Sequence, residues 1–467
     1  MVNKRMTEPV RALSVSLENR VNLIPEMKEE KAMTKTVTVS VVLCVLFAGY
    51  VVGSPPAPAF RGKQQAGVTA DQAANPVVQW NGILLGIVRT PGAQPATIHS
   101  TRSFAIMHAA IYDAVNSIEG TNQPYLVHLA GAPRDASQEA AAAVAAHEVL
   151  VELYPGVQAM LDAELQTSLD QIPRGAAKTS GMEIGQMVAD NILGVRASDG
   201  SAAPAQSFVP GTNPGDYQST PPNFPKPAFT NWAQVTPFAL SRADQFRPAP
   251  PPPLTSDGYT QSFNEVKSLG QNTSSVRTAD QTLIGRFWGG AIQNYWNEIA
   301  QTAAVARGLD VARSARLFAL LNLSLADTVI AFYDAKYTYR FWRPVTAIRA
   351  ADQDGNAQTD ADPNWLPLPT NTAADPSYPG AHAAISGAAA AVLDSFFRKD
   401  RFKLEVTSEV MPGVLRSFNG FSGAADEASV SRIYAGQHFS FDENAGGRLG
   451  RKVARFVTGN FLTPAGG

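Results

Sequence analysis

The stretch RSFAIMHAAIYDAVNSI, residues 102–118, places Phe104, Met107, Ile111, Val115 and Ile118 three and four residues apart. That spacing puts all five side chains on one face of an α-helix. A second stretch, RLFALLNLSLADTV at 316–329, can be laid on residues 102–115 with Arg, Phe, Ala, Asp and Val in register. Two readings stand: chance likeness between two Ala/Leu helices, or an old duplication of a helical bundle. Around these anchors, 139–153, 156–172 and 181–198 are rich in Ala and Leu and read as further helices. Helical periodicity returns at Ser262 and runs through 279–306 and 311–350, while strand signals are weak throughout. Between them, 203–260 carries proline after proline and ends in Pro248, Pro250, Pro251, Pro252 and Pro253. Proline cannot continue a helix, and connections of this length are usually lids, binding loops or linkers. The expected fold is all-α. Two four-helix-type bundles, at 75–202 and 261–467, are joined by the Pro-rich connection, and only the second carries chemical residues.

The chain has 467 residues, 45% hydrophobic and 17% charged, with a formal net charge of -2 and a pI near 6.3. These values suit a globular protein and give no reason to expect affinity for nucleic acid or anionic membrane. Any cationic site must be local. The one cysteine, Cys44, lies in the apolar run 37–53, which follows Lys28, Lys31 and Lys35 and precedes Ala57-Pro58-Ala59. This is the layout of an export signal cleaved after Ala59, or of an uncleaved membrane anchor. Met33 is an alternative start. Residues 1–59 therefore read as an N-terminal extension and signal, and 60–74 as a disordered spacer. The exported part lacks cysteine, which excludes disulfides and cysteine-based metal sites or nucleophiles.

Three clusters carry chemistry, all after residue 330. The first is KYTYRFWRP, with Lys336, Arg340 and Arg343 among aromatics. Seven residues is close to two helical turns, so one helix would carry Lys336 and Arg343 on the same face. The second is DPSYPGAHAAISGAAAAVLDSFF, in which Pro376 and Pro379 impose an extended approach and Gly380-Ala381-His382 opens a helix. A helix N-terminus offers free N–H groups and partial positive charge to an anion, and His382 stands there as a proton donor or acceptor. The third is SRIYAGQHFSFDENAGGRLG, with Arg432, His438 and Asp442. Asp442 follows His438 by four, so its carboxylate can hold the protonated ring nitrogen and leave the other free as nucleophile or metal ligand. Taken singly, each cluster is equally well a solvated helix face or a surface pair. Together they supply the cations, helix end and histidines that a tetrahedral oxyanion needs.

Lys-x6-Arg-Pro, Pro-x-x-His and Ser-Arg-x5-His-x3-Asp resemble the three-part signature of vanadium-dependent haloperoxidases and type 2 phosphatidic acid phosphatases. The 102–118 helix resembles the soluble haloperoxidase-like branch. The resemblance implies two helical bundles and a bound vanadate. Lys336, Arg343 and Arg432, with the N–H groups of Gly380 and Ala381, would hold its equatorial oxygens. It also implies His438 as the apical vanadium ligand, His382 as the acid–base group, Asp442 behind His438, and Lys336 polarising peroxide. One departure stands out: the family commonly reads Pro-Ser-Gly-His where this chain reads Pro379-Gly380-Ala381-His382. The serine hydroxyl is gone unless Ser377 or Ser386 substitutes, a loss of roughly 1.5–3 kcal/mol of anion binding.

The implied reaction is oxidation of halide by hydrogen peroxide at His-ligated vanadate. The alternatives are a soluble acid phosphatase with a phosphohistidine at His438, and a degenerate oxyanion-binding protein without activity. Hydrogen peroxide with a halide or small organic substrate are the expected partners, with no nucleic acid and no membrane for the mature domain. A homo-oligomer is compatible with the sequence. Asp375, if it faces the site, would repel halide. His108 and His147 read as structural, and His99 and His128 adjoin loops. Asp113 and Asp327 match within the echo as capping or bridging groups. Residues 352–362 form an acidic turn that lacks the glutamate a calcium loop requires.

Overall fold

The computed structural model describes residues 13–16 and 75–466; the expected signal, spacer and second start site lie outside the described residues. The chain is predominantly helical, as expected. The first bundle contains α1 (Pro76–Arg89), α2 (Ser100–Glu119), α3 (Gln138–Leu153), α4 (Gln158–Asp170) and α5 (Ala176–Arg196). After the connection come α6 (Asp257–Leu269), α7 (Ala279–Phe287), α8 (Ile292–Ala306), α9 (Val311–Tyr339), α10 (Pro344–Arg349), α11 (Ala381–Phe397), α12 (Phe421–Tyr434) and α13 (Ser440–Asn460). Strand Leu13–Ser16 (β1) pairs in parallel with Val127–Ala130 (β2). Arg401–Thr407 (β3) pairs antiparallel with Leu415–Gly420 (β4), a hairpin that the weak strand signals did not predict. In β3 the burial alternates strictly, the period-2 pattern of a strand with one face on a core.

α2 and α9 pack against each other at the centre, and each is buried along almost its whole length. α9 is long and apolar enough by length and hydropathy to cross a membrane, yet 94% of its most apolar window is buried in protein. Its apolar character serves the core.

The echo between the two stretches is structural. Asp113 on α2 accepts the N–H groups of Tyr125, Leu126 and Val127 at 2.7–2.8 Å. Asp327 on α9 accepts those of Phe238, Ala239 and Leu240 at 2.6–2.7 Å. In both copies a fully buried carboxylate gathers three consecutive amides, from the segment that follows α2 in the first and from the Pro-rich connection ahead of α6 in the second. The correspondence runs further. Asn81 on α1 bonds His108 at 2.9 Å, and Asn297 on α8 bonds Asn322, the residue aligned with His108, at 3.0–3.1 Å. A buried tryptophan, Trp80 or Trp296, precedes each asparagine.

The seams between the last helices also match. Gly181 and Gly185 of α5 lie against the carbonyls of Ser137 and Ala141, and Gly446 and Gly450 of α13 lie against those of Gly380 and Ala384. A Cβ at any of the four would collide with the facing carbonyl oxygen. The Ser137 N–H donates to the Ala177 carbonyl, as the Gly380 N–H donates to that of Asp442. These shared contacts favour duplication over chance. They also align Asp442 with Ala177, Glu443 with Lys178 and His382 with Glu139, so the first copy lacks the chemical set.

The connection is clamped to the second bundle by the aromatic cluster that follows Lys336. The hydroxyls of Tyr337, Tyr339 and Tyr378 donate to the carbonyls of Ala228, Pro248 and Ala249. The Tyr217 N–H reaches the Arg340 carbonyl at 2.6 Å, and Arg247 holds Asp334 through two hydrogen bonds at 2.6 and 2.7 Å. Asp113→Asn and Asp327→Asn should each lower unfolding stability by about 2–4 kcal/mol, because an amide must turn its NH2 toward a backbone donor. Urea unfolding measures this; a loss below about 0.5 kcal/mol at either position would remove the carboxylates' bracing role.

Candidate active site

The expectation of Lys336 and Arg343 on one helix is corrected. α9 ends at Tyr339, Arg340 caps it in the left-handed conformation (φ 52°), and Arg343 is the N-cap of α10. Aromatic residues with outside partners and Pro344 break the helix here. Arg340 turns away, its guanidinium 4.5 Å from the Phe208 ring centroid and bonded to the Val209 carbonyl. Lys336 and Arg343 nevertheless converge: both are buried, and both reach Asp375. Lys336 Nζ lies 3.1 Å from Asp375 Oδ1 and also donates to the carbonyls of Pro376 and Ser377. Arg343 donates to the same Oδ1, to the Asp375 carbonyl at 2.8 Å and to the Gln437 carbonyl at 3.0 Å. Burial lowers the Lys336 pKa to about 8, although Asp375 opposes the shift. Burial alone would raise Asp375, but the Lys336 and Arg343 charges outweigh it and hold the carboxyl below its usual range.

His438 stands immediately before α13. Its Nδ1 lies 3.2 Å from Asp442 Oδ2 and 3.3 Å from Ser377 Oγ, and its Nε2 lies 3.0 Å from an Arg343 guanidinium nitrogen. Arginine can only donate, so Nε2 carries the lone pair and Nδ1 the proton. Burial first, then the Arg343, Lys336 and Arg432 charges, push the ring pKa well below its ordinary value, so it is neutral. Asp442 also accepts the Ser377 hydroxyl at 2.6 Å and the Phe439 N–H at 3.0 Å, and its pKa rises to about 6 through burial.

Arg432, on α12, is buried and reaches only the Trp288 carbonyl, at 3.5 Å; its Nε has no acceptor among the described residues. Burial lowers its pKa to about 10, with Glu443 opposing and Arg343 adding to the shift. His382 Nε2 donates to the Trp288 carbonyl at 3.0 Å, so its lone pair is on Nδ1. Burial, then Arg432, lower its pKa well below the ordinary value. A cleft of about 560 Å³, lined by Gly285, Leu368, Asn371, His382, Arg432 and Gln437, opens this side to solvent.

The Gly380 N–H was expected to bind an anion, but it donates to the Asp442 carbonyl at 2.9 Å. The close seam between α11 and α13 takes it. The Ala381 and His382 N–H groups have no backbone acceptor and remain the helix-end donors. Neither serine replaces the missing hydroxyl: Ser377 is committed to Asp442, and Ser386 accepts the Trp296 indole N–H at 2.8 Å.

The space is filled instead by Glu443, which sequence reasoning passed over. A Cβ at residue 380 would collide with its Oε1. Glu443 is 3% exposed, neither oxygen makes a well-formed hydrogen bond, and Oε1 lies 3.8 Å from His438 Nδ1. Burial, then the Asp442 charge, raise its pKa to about 8. The signal was in the sequence. Glu443, Gly446 and Gly450 recur at three and four residues, so Glu443 shares the glycine face that packs on α11.

Three of the remaining histidines have structural partners, and His128 lies in β2. His108 is buried and stacked on Phe318, His147 pairs with Glu148 and Asp162, and His99 caps α2. In the 352–362 turn, Asp354 accepts the Asn356 N–H and the Thr359 hydroxyl.

Comparison with known proteins places this geometry. Residues 316–465 match the family model of the VCPO second helical-bundle domain. The chain is 24% identical to the vanadium chloroperoxidase of Curvularia inaequalis, with 79% of each protein covered. A crystal structure described as the first bacterial vanadium-dependent iodoperoxidase superposes with a TM-score of 0.70 at 25% identity, covering 86% of this chain and 99% of the other. A holo-type bacterial vanadium-dependent chloroperoxidase shares the fold, with a TM-score of 0.60 at 16% identity over 80% and 94% of the two chains.

The chain is similar in sequence and fold to the vanadium haloperoxidase superfamily, and its residues 316–465 match the model of that group's second helical-bundle domain. A tetrahedral oxyanion such as that superfamily's vanadate fits the donor set. Arg432 Nε lacks an acceptor, two helix-end N–H groups lack backbone partners, and His438 Nε2 bears a lone pair beside Arg343.

Gly380→Ser alone should cost about 1–3 kcal/mol of stability through overpacking against Glu443. Combined with Glu443→Ala the same change should cost little, because serine is a good N-cap. Equal costs in both backgrounds, measured by urea unfolding, would rule out this steric coupling.

Proposed function

We propose that this chain is a vanadate-dependent haloperoxidase that oxidises halide with hydrogen peroxide. The reading is carried by one observation: His438, neutral and with its Nε2 lone pair fixed by Asp442 behind it, faces Arg343 within a group that includes Lys336 and Arg432. Bound vanadate supplies a Lewis-acidic centre that activates peroxide for two-electron transfer without a change in its own oxidation state. His438 Nε2 would hold it, Lys336, Arg343 and Arg432 would neutralise its oxygens, and the Ala381 and His382 N–H groups would add helix-end donors. Asp442 keeps the His438 proton on Nδ1.

His382, at the wall of the cleft, has its lone pair on Nδ1 and takes a proton from incoming peroxide. Lys336 keeps an ammonium near the reacting oxygens. The balance is one peroxide, one halide and one proton giving hypohalous acid and water. Export through the N-terminal segment belongs to the same proposal.

The test is bromide and iodide oxidation by the full-length protein with peroxide, before and after orthovanadate, in phosphate-free buffer. Vanadate-dependent turnover that falls at least about 10³-fold in His438→Ala is expected. No turnover with either halide, together with vanadate-inhibited hydrolysis of a phosphate ester, would replace this reading with the acid phosphatase one.

A further inference from the structure

The two deepest cations of the site already hold an anion. Asp375 Oδ1 bridges Lys336 Nζ and the Arg343 guanidinium, the pair that the proposed function assigns to oxyanion oxygens. The carboxylate is not what positions them. Lys336 is tethered by the carbonyls of Pro376 and Ser377, and Arg343 by those of Asp375 and Gln437. What the carboxylate adds is negative charge at the point where two buried positive charges meet. It is also the member of the trio nearest solvent: its side chain is 11% exposed, against 0% for Lys336 and 1% for Arg343. Ala373, two residues earlier, lines the cleft beside His382 and Arg432.

We propose that Asp375 is a resident counter-anion of the oxyanion site, displaced by the incoming oxyanion. The proposal rests on the oxyanion reading above and adds an exchange step to it. Before binding, Asp375 compensates Lys336 and Arg343, and Arg343 in turn donates to His438 Nε2. As the oxyanion enters, its oxygens replace Oδ1 on both cations, the carboxylate swings toward the cleft, and Arg343 turns its donor from Nε2 to the oxyanion. The Nε2 lone pair is then free for the ligand. The internal carboxylate thus competes directly with the oxyanion and weakens its binding.

Asp375→Asn keeps the shape and removes the charge. Isothermal titration of the full-length protein should show orthovanadate binding strengthened about tenfold or more, with inorganic phosphate strengthened in parallel. The oxyanion-free variant should melt earlier than wild type and gain more in Tm from saturating orthovanadate. Unchanged or weaker binding would overturn the exchange, since it would mean that the carboxylate stays and supports the bound oxyanion. Should the variant fail to fold, a wild-type crystal structure with orthovanadate decides: Asp375 still on Arg343 overturns the proposal, and Asp375 displaced supports it. If neither protein binds either oxyanion, the oxyanion reading itself falls and the exchange with it.

Discussion

Three basic side chains, Lys336, Arg343 and Arg432, are buried in one region of a helical protein, and an isolated buried charge costs on the order of several kcal/mol. Everything around them answers that cost. Loop carbonyls from Asp375, Pro376, Ser377 and Gln437 converge on Lys336 and Arg343, and the Trp288 carbonyl faces Arg432. The loop that supplies three of those carbonyls is tied to the Pro-rich connection by the Tyr378 hydroxyl and by the Ala228 N–H on the Ala374 carbonyl, and α9 is tied to it by Tyr337 and by Arg247 on Asp334. The connection is therefore part of the site's scaffold. Its many prolines give it extended geometry, which leaves its carbonyls free to accept those hydroxyls.

The duplicated frame explains why the site has this location. In both bundles a helix N-terminus abuts a glycine seam, with matched close contacts at Gly181 and Gly185 in one and Gly446 and Gly450 in the other. Backbone-on-backbone packing at that point holds a helix end rigidly beside the start of the next helix. In the first copy Ser137 caps the helix and Glu139 follows, so a neutral hydroxyl and an acid satisfy the exposed donors. In the second copy the N-cap is Gly380, which has no side chain to cap the helix. The same geometry carries an ordinary serine cap in one bundle and leaves the helix end without a side-chain cap in the other.

Much of this was legible in the sequence, for reasons that can be named. Helical periodicity marked α2 and α9, and the aligned aspartates marked a shared bracing device, because buried carboxylates need several donors. The four-residue spacing of His438 and Asp442 survived because a chain entering a helix keeps such residues on one side. The continuation of α9 to Arg343 was misread, since local propensity does not report that Tyr337 and Tyr339 have partners far away in sequence. The Gly380 amide was misassigned for a similar reason: its acceptor, the Asp442 carbonyl, belongs to another helix. The β3–β4 hairpin escaped because its alternation is short and mixed with charge.

The altered second motif is where sequence and structure diverge most usefully. Read alone, Gly380 in place of serine is a lost hydrogen bond and a step toward decay. In the folded protein the space a serine Cβ would take is held by a buried carboxyl group, Glu443, with a raised pKa. The carboxyl reaches that space from the neighbouring helix instead of from the same one. Glycine at 380 is then the condition for Glu443 to fit. Drift that merely erased a serine would leave a cavity or a water. It would have no reason to fill the space with a buried carboxyl group, nor to leave the three cations, two histidines and Asp442 around it intact.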